Sequence, residues 1–199
     1  MEQEKQLSGL ESLEVINRMI KTAQNDLEDN SFYYLFWGWL VFLASASNYA
    51  LIQTGYIKPF LPWAILMPLG GVITGFYAYF HQKKRKVKTY VDEVMKYVVI
   101  AFLVSLFIVL SSMPKLGLAT YPMVMIIYAI WLFISGGAIK FQPLVYGGVI
   151  NWICGIAAFF VTFEIQLLIL AGAVLSGYII PGYMLKSRFR KQAQLLTAS

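Results

Sequence analysis

Charge is scarce in this chain of 199 residues: 13% of the residues are charged, whereas 59% are hydrophobic. A soluble domain carries about a quarter charged residues, which help to cover its water-exposed surface. A surface that faces the hydrocarbon of a membrane needs no such cover. The composition therefore excludes an ordinary soluble domain and indicates an integral membrane protein.

Cysteine and histidine are nearly missing, because Cys154 and His81 are the single examples of each. One cysteine excludes an internal disulfide framework, and one histidine excludes a multi-histidine metal or haem site. Ionisable side chains are also missing from the interior of every hydrophobic run. Such groups mark proton relays and ion pathways, so their absence argues against an ion-coupled pump. It also removes most general acids and bases, and we expect neither catalysis nor a bound cofactor or metal.

Six hydrophobic runs are long enough to cross about 30 Å of hydrocarbon as helices. The predicted spans are about 32–53, 60–80, 97–113, 121–139, 143–163 and 167–185. The predicted fold is an all-α polytopic bundle over residues 31–186, with six transmembrane helices arranged as three hairpins. Related glycine patterns in the second and sixth spans are compatible with a repeated hairpin, but the recurrence of small residues in packed membrane helices is the preferred explanation.

Residues 1–30 contain an amphipathic pattern over 7–28, which predicts a cytoplasmic helix with one apolar stripe. The stripe positions are Leu7, Leu10, Leu13, Ile16, Ile20 and Leu27. The polar stretch 26–30 is expected to end this helix before the first span. Residues 1–31 have a net charge of −4, which disfavours docking on an anionic lipid surface. Two interpretations stay open: a contact with the chain's own basic loop, or a contact with a second protein.

Cations mark one side of the predicted bundle. Outside the N-terminal segment, eleven basic residues fall on the side of the two termini, and only Lys58 and Lys115 fall on the other. The positive-inside rule places the termini, including the basic tail 187–199, in the cytoplasm. Orientation explains these cations, so no nucleic-acid partner is expected. The predicted cytoplasmic contact face consists of Lys83, Lys84, Arg85 and Lys86 with Glu11 and Glu14.

A polar belt is predicted within the spans, at roughly 9–15 Å from their cytoplasmic ends when residues are counted at 1.5 Å each. Its members are Asn151, Ser105, Thr74 and Ser176. The belt fits interhelical hydrogen bonds of about 1 kcal/mol each, or a cavity for a small neutral or amphipathic molecule. Gly71 and Gly75 are spaced for close helix approach and are expected to pack within the bundle, with a homo-oligomer as the other option.

Two stretches carry a family resemblance. They are EVINRMI at 14–20 followed by DNSFYYLFWGWLVF at 29–42, and YIIPGYMLK at 178–186. They resemble a group of uncharacterised bacterial inner-membrane proteins whose genes often stand beside small winged-helix regulators. The resemblance implies a multi-pass protein of the bacterial inner membrane and hints at a regulatory partner. It implies no activity.

Two function classes follow from the sequence. The first is non-enzymatic sensing or partner binding at the cytoplasmic face of a protein embedded in the lipid bilayer. The alternative is a carrier or channel for small neutral or amphipathic solutes. A membrane enzyme ranks third, because the spans hold almost no acid–base residues.

Overall fold

The structure, a computed structural model, describes residues 9–82 and 90–197, with side chains over 31–80 and over most of 93–194. This part of the chain is helical and contains no strand. The α-helices are α1 (Gly9–Gln53), α2 (Leu61–Gln82), α3 (Tyr90–Ser111), α4 (Met113–Leu116), α5 (Thr120–Ala138), α6 (Gln142–Ala158), α7 (Phe163–Val174) and α8 (Ile180–Thr197). A 3₁₀ turn, Gly117–Ala119, joins α4 to α5, and a π-helical turn, Leu175–Ile179, joins α7 to α8 without a break.

Within the described residues, five helical segments are long and apolar enough to cross a membrane. They are Ser31–Gln53, Leu61–Phe80, Glu93–Ser111, Met113–Ala138 and Phe163–Arg188. The prediction of an all-helical fold is confirmed for the described residues, and the five apolar helices support a multi-pass membrane protein. The fifth predicted span, 143–163, corresponds to α6, which has only 17 residues and is not among the five. The helix α6 ends at Ala158, and the chain turns over residues 159–162. The next helix, α7, begins at Phe163, four residues earlier than predicted.

The first helix differs from the prediction of a break before the membrane. α1 runs for 45 residues, from Gly9 to Gln53, and passes through the polar stretch 26–30. Asp and Asn weaken a helix by only about 0.7 kcal/mol each or less, and no proline or glycine stands between Gly9 and Gly38. The expected helix end is therefore absent, and residues 9–30 extend the first span directly.

The centre of the bundle consists of α1, α5, α6 and the continuous helix formed by α7, the π-turn and α8. Leu132, Leu144 and Leu170 are fully buried there. α2 packs against α1 and α3 packs against α5, whereas no extended contact joins α2 to α3 in the described part of the chain. Both peripheral helices therefore expose most of their apolar surface, as lipid-facing helices do.

Glycines set the closest helix approaches. A Cβ on Gly136 of α5 would lie 2.8 Å from the backbone nitrogen of Val145, and a Cβ on Gly148 of α6 would lie 2.9 Å from the Ala129 carbonyl oxygen. Near the other end of α6, a Cβ on Gly155 would lie 3.4 Å from the Pro122 carbonyl oxygen. These contacts pack α6 antiparallel along α5 over nearly its whole length.

The predicted packing of Gly71 and Gly75 inside the bundle is wrong. Both residues are exposed, and a Cβ added to either would meet nothing within 4 Å. The neighbouring Gly70 faces α1 instead, against the side chains of Leu40 and Trp37. The spacing of small residues indicates that helices can approach closely, but it does not fix which face of α2 turns inward.

Candidate functional site

Asn151, a member of the predicted polar belt, lies fully buried where α6 crosses the last span. Its Nδ2 donates hydrogen bonds to the carbonyl oxygens of Gly147 at 2.9 Å and Ala173 at 3.0 Å. Ser176 Oγ donates to the same Ala173 oxygen at 3.1 Å, and to that of Gly172 at 2.9 Å. The structure therefore brings two of the four belt residues to one carbonyl group.

This carbonyl group lies two residues before the π-turn Leu175–Ile179. A π-turn shifts the backbone hydrogen bonds by one residue. In a membrane, backbone groups displaced in this way must find partners in neighbouring helices or side chains, because no water is present to satisfy them. The donors of Asn151 and Ser176 both bond the Ala173 carbonyl oxygen beside this turn.

The crossing itself is a backbone-to-backbone contact. A Cβ on Gly147 would lie 2.8 Å from the Cα of Gly177, and a Cβ on Gly177 would collide with Asn151 Nδ2. Asn151 Oδ1 is buried and accepts no hydrogen bond from the residues that the structure describes. The arrangement is that of two closely packed helices held by polar contacts.

The other two belt residues lie elsewhere. Ser105 is exposed on α3. Thr74 is half-buried on α2, and its hydroxyl oxygen is buried without a hydrogen-bond partner among the described residues. In that part of the chain neither α2 nor α3 forms an extended contact with α6. Similar depth along a helix does not imply the same face, so the four residues do not assemble into one ring.

The predicted contact face can be followed only in part. Lys83, Lys84, Arg85 and Lys86 lie outside the described residues. Glu11 and Glu14 belong to α1, for which the structure describes the backbone but no side chains before Ser31. The pairing of an acidic helix with a basic loop stays a prediction.

Buried polar residues at the other end of the bundle were not singled out from the sequence. Gln166 is fully buried, and its Nε2 donates to the carbonyl oxygens of Leu118 at 3.0 Å and Ala158 at 2.9 Å. Ser45 Oγ donates to the Leu167 carbonyl oxygen at 2.7 Å. The predicted spans end at 163 and resume at 167, which left Gln166 in the connection between them. The early start of α7 turns it into the core instead.

Asn48 is a second buried polar residue at that end. With its amide oriented to satisfy both neighbours, its nitrogen donates to the Pro59 carbonyl oxygen at 3.1 Å and its oxygen accepts from Trp63 Nε1 at 2.9 Å. These bonds tie α1 to the start of α2. The sequence does not show whether an uncharged polar residue inside an apolar run links two helices or binds a ligand.

A groove of about 610 Å³ runs along the outer surface of α1, between α2 and α8. Its lining residues are Ser31, Phe32, Leu35, Phe36, Trp39, Leu40, Leu43, Tyr77 and Lys186. We call this concavity the α1 groove. The sequence did not predict it, because one wall belongs to α2, which ends at Gln82, and the other to α8, which begins only at Ile180.

The two walls of the α1 groove are held by close contacts. On one side α8 approaches α1 so tightly that a Cβ on Gly182 would lie 2.9 Å from Leu35 Cδ2. On the other side the rings of Phe32 and Tyr77 stack with their centroids 4.3 Å apart, which joins α2 to α1. Trp39 Nε1 also donates to the Tyr183 hydroxyl oxygen at 3.3 Å.

Polar groups collect at one end of the α1 groove, where Ser31, Tyr77 and Lys186 lie. This is the basic end of the bundle, which also carries Lys140 and Arg188; the Arg188 guanidinium lies 6.0 Å from the centroid of the Phe141 ring. Lys186 is half-buried and forms no ion pair with the described residues. Beyond this end the lining is apolar, so the groove can accommodate an amphipathic molecule.

Metal chemistry finds no support in the described residues, which contain no group of three or more His, Cys, Asp or Glu side chains placed to hold an ion. Comparisons with protein-family models, with curated proteins and with solved structures return no match for the chain. The resemblance to bacterial inner-membrane proteins stays a prediction, and the function must be argued from geometry.

Proposed function

We propose that this chain is a non-enzymatic protein of the bacterial inner membrane that senses or binds a protein partner at its cytoplasmic face. The binding element is the part of α1 that precedes the first span, residues 9–30. The observation that carries the proposal is the continuity of α1 from Gly9 to Gln53.

A continuous helix gives residues 9–30 a defined place. At 1.5 Å per residue they extend the axis of the first span by about 33 Å, which is more than the thickness of a headgroup layer. Because the backbone is helical there, the three- and four-residue spacing of the apolar positions forms a stripe. An amphipathic helix of this kind suits docking into an apolar groove of a partner protein. Any tilt of the first span is also transmitted to this stripe.

The proposal includes six spans and cytoplasmic termini. α6 covers about 25 Å at 1.5 Å per residue, which is close to the hydrocarbon thickness. Its contacts with α5 extend from Gly136 to Pro122, nearly the full length of a helix that itself qualifies as a span. With six spans both termini share one side, and the eleven cations counted there against two favour the cytoplasm.

Labelling of single cysteines with a membrane-impermeant maleimide tests this topology in a Cys154→Ser background. In intact spheroplasts we expect labelling of Lys58→Cys and Thr162→Cys, and labelling of Lys140→Cys only after lysis. The two lysine variants are matched, since both residues are exposed at turns. Protection of Thr162→Cys in intact spheroplasts would show that α6 does not cross the membrane. Labelling of Lys140→Cys there would reverse the orientation.

Site-specific photo-crosslinking in cells tests the partner. A photoreactive residue at Ile16 lies on the stripe, and one at Asn25 lies nine residues on, about 180° around the helix. We expect a discrete crosslinked protein, identified by mass spectrometry, from position 16 and not from position 25. Ile20→Asp should abolish that product, whereas Asn25→Asp, which introduces the same charge on the opposite face, should not.

Two outcomes would contradict the partner proposal. Crosslinks from position 16 only to segments of this chain would identify residues 9–30 as an internal clamp. Equal products from both positions would show that the stripe has no special role. The alternative function, a carrier or channel, stays a prediction, because the centre of the described bundle is occupied by fully buried leucines rather than by polar groups along a path.

A further inference from the structure

The length of the α1 groove along the axis of α1 is close to the thickness of one leaflet of the hydrocarbon core. From Ser31 to Leu43 it follows twelve residues of α1, a rise of about 18 Å, against about 15 Å for half of the hydrocarbon core. Its volume of about 610 Å³ lies within the usual range of ligand sites. Trp39 and Leu43 are exposed along it, so the groove opens sideways toward lipid.

The polar end of the groove offers a cation at the level of the headgroups. Lys186 stands at the end of the last span, lines the groove and is half-buried there. Arg188, Arg190 and Lys191 follow in α8. Basic pockets between transmembrane helices at such a level suit anionic phospholipid headgroups.

The geometry points to the α1 groove as a binding site for one anionic phospholipid of the leaflet at the basic end. The phosphate lies against Lys186, and one acyl chain lies along Leu35, Trp39 and Leu43. The walls distinguish this site from the general lipid contact of an exposed helix, because the Gly182–Leu35 approach and the Phe32–Tyr77 stack hold both sides in place. The inference is independent of any protein partner.

Native mass spectrometry of the detergent-solubilised full chain tests the headgroup contact. Phosphatidylglycerol and phosphatidylcholine with identical acyl chains are titrated separately. We expect one saturable adduct with phosphatidylglycerol, and about fivefold weaker binding in Lys186→Gln, the effect of one cation near a lipid surface. Lys140→Gln removes a cation at the same end but outside the groove and should bind as the unchanged protein does. Inorganic phosphate at millimolar concentration should not displace the lipid.

Tryptophan quenching tests the position of the acyl chain. Nanodiscs of phosphatidylcholine receive a small fraction of phosphatidylglycerol with dibrominated acyl chains, which quench nearby indole rings. We expect a saturable quenching component that disappears in Trp39→Phe. It should persist in Trp152→Phe, because Trp152 packs against Phe133 on another part of the bundle.

Several results would overturn the inference. Equal affinity for the two lipids, or equal weakening by the two lysine substitutions, would show that general charge and not the groove holds the lipid. Displacement by inorganic phosphate would identify a site for the anion alone. Saturable quenching that survives Trp39→Phe would place the acyl chain outside the α1 groove.

Discussion

Replacement of Gly177 by alanine probes the tightest helix crossing in the molecule. The new Cβ would collide with Asn151 Nδ2 and would lie 3.0 Å from Leu132 Cδ1. The backbone of Gly147 stands directly opposite, with its carbonyl oxygen 3.3 Å away. The added methyl group therefore finds no space unless the helices separate or Asn151 gives up its hydrogen bond to Ala173.

The size of the effect can be estimated from opposing contributions. Forcing a methyl group into a packed interior costs about 1–3 kcal/mol. Loss of the interhelical hydrogen bond from Asn151 costs about 1 kcal/mol more. The higher helix propensity of alanine stabilises the folded state by up to about 1 kcal/mol and so offsets part of this loss. We expect Gly177→Ala to lower the free energy of unfolding by about 2 kcal/mol.

Reversible unfolding by sodium dodecyl sulfate in mixed micelles, followed by circular dichroism, measures this change. Gly172→Ala is the matched control: it makes the same substitution five residues earlier in the same continuous helix, where a Cβ would meet nothing within 4 Å. The control should leave stability unchanged or raise it by up to about 1 kcal/mol. If the free energy of unfolding of Gly177→Ala equals that of Gly172→Ala, the reasoning is refuted.

A double variant tests the cause of the loss. Asn151→Ala removes the atom that the new Cβ meets, although it also removes the hydrogen bond to Ala173. If the collision dominates, the variant with both substitutions should be no less stable than Asn151→Ala alone. Simple addition of the two single losses would show that the residues act independently and that the contact in the structure is not the cause.

Three further predictions use the same unfolding assay. Gln166→Leu should lower stability by about 1–2 kcal/mol, because two backbone carbonyl groups lose their buried donor. Ser105→Ala should change stability by less than about 0.5 kcal/mol, since the side chain is exposed on α3; a larger loss would show that α3 has a partner on that face. Gly148→Ala should destabilise by about 2 kcal/mol and Gly137→Ala should not, because only the first meets backbone atoms of a neighbouring helix.

The amino-acid sequence by itself determined the class of the protein. A shortage of charge and runs of about twenty apolar residues indicate transmembrane helices. In lipid the backbone polar groups of such a run must bond one another, and a helix allows this within a single segment. The same one-dimensional pattern predicted segments that overlap the five helices able to cross a membrane, with bounds that differ by no more than eight residues. It misjudged the polar stretch 26–30, since weak helix formers do not end a helix that has strong neighbours on both sides.

The tertiary structure alone decided which side each helix turns inward. Ser105 and Asn151 have similar depths, yet one is exposed and the other is fully buried beneath Gly177. Gly70 rather than Gly71 meets α1, and the α1 groove exists only because α2 and α8 contact α1 on different sides. Hydropathy records how deep a residue lies in the membrane. Rotation about a helix axis depends on side-chain packing against helices distant in the chain, which residue spacing does not record.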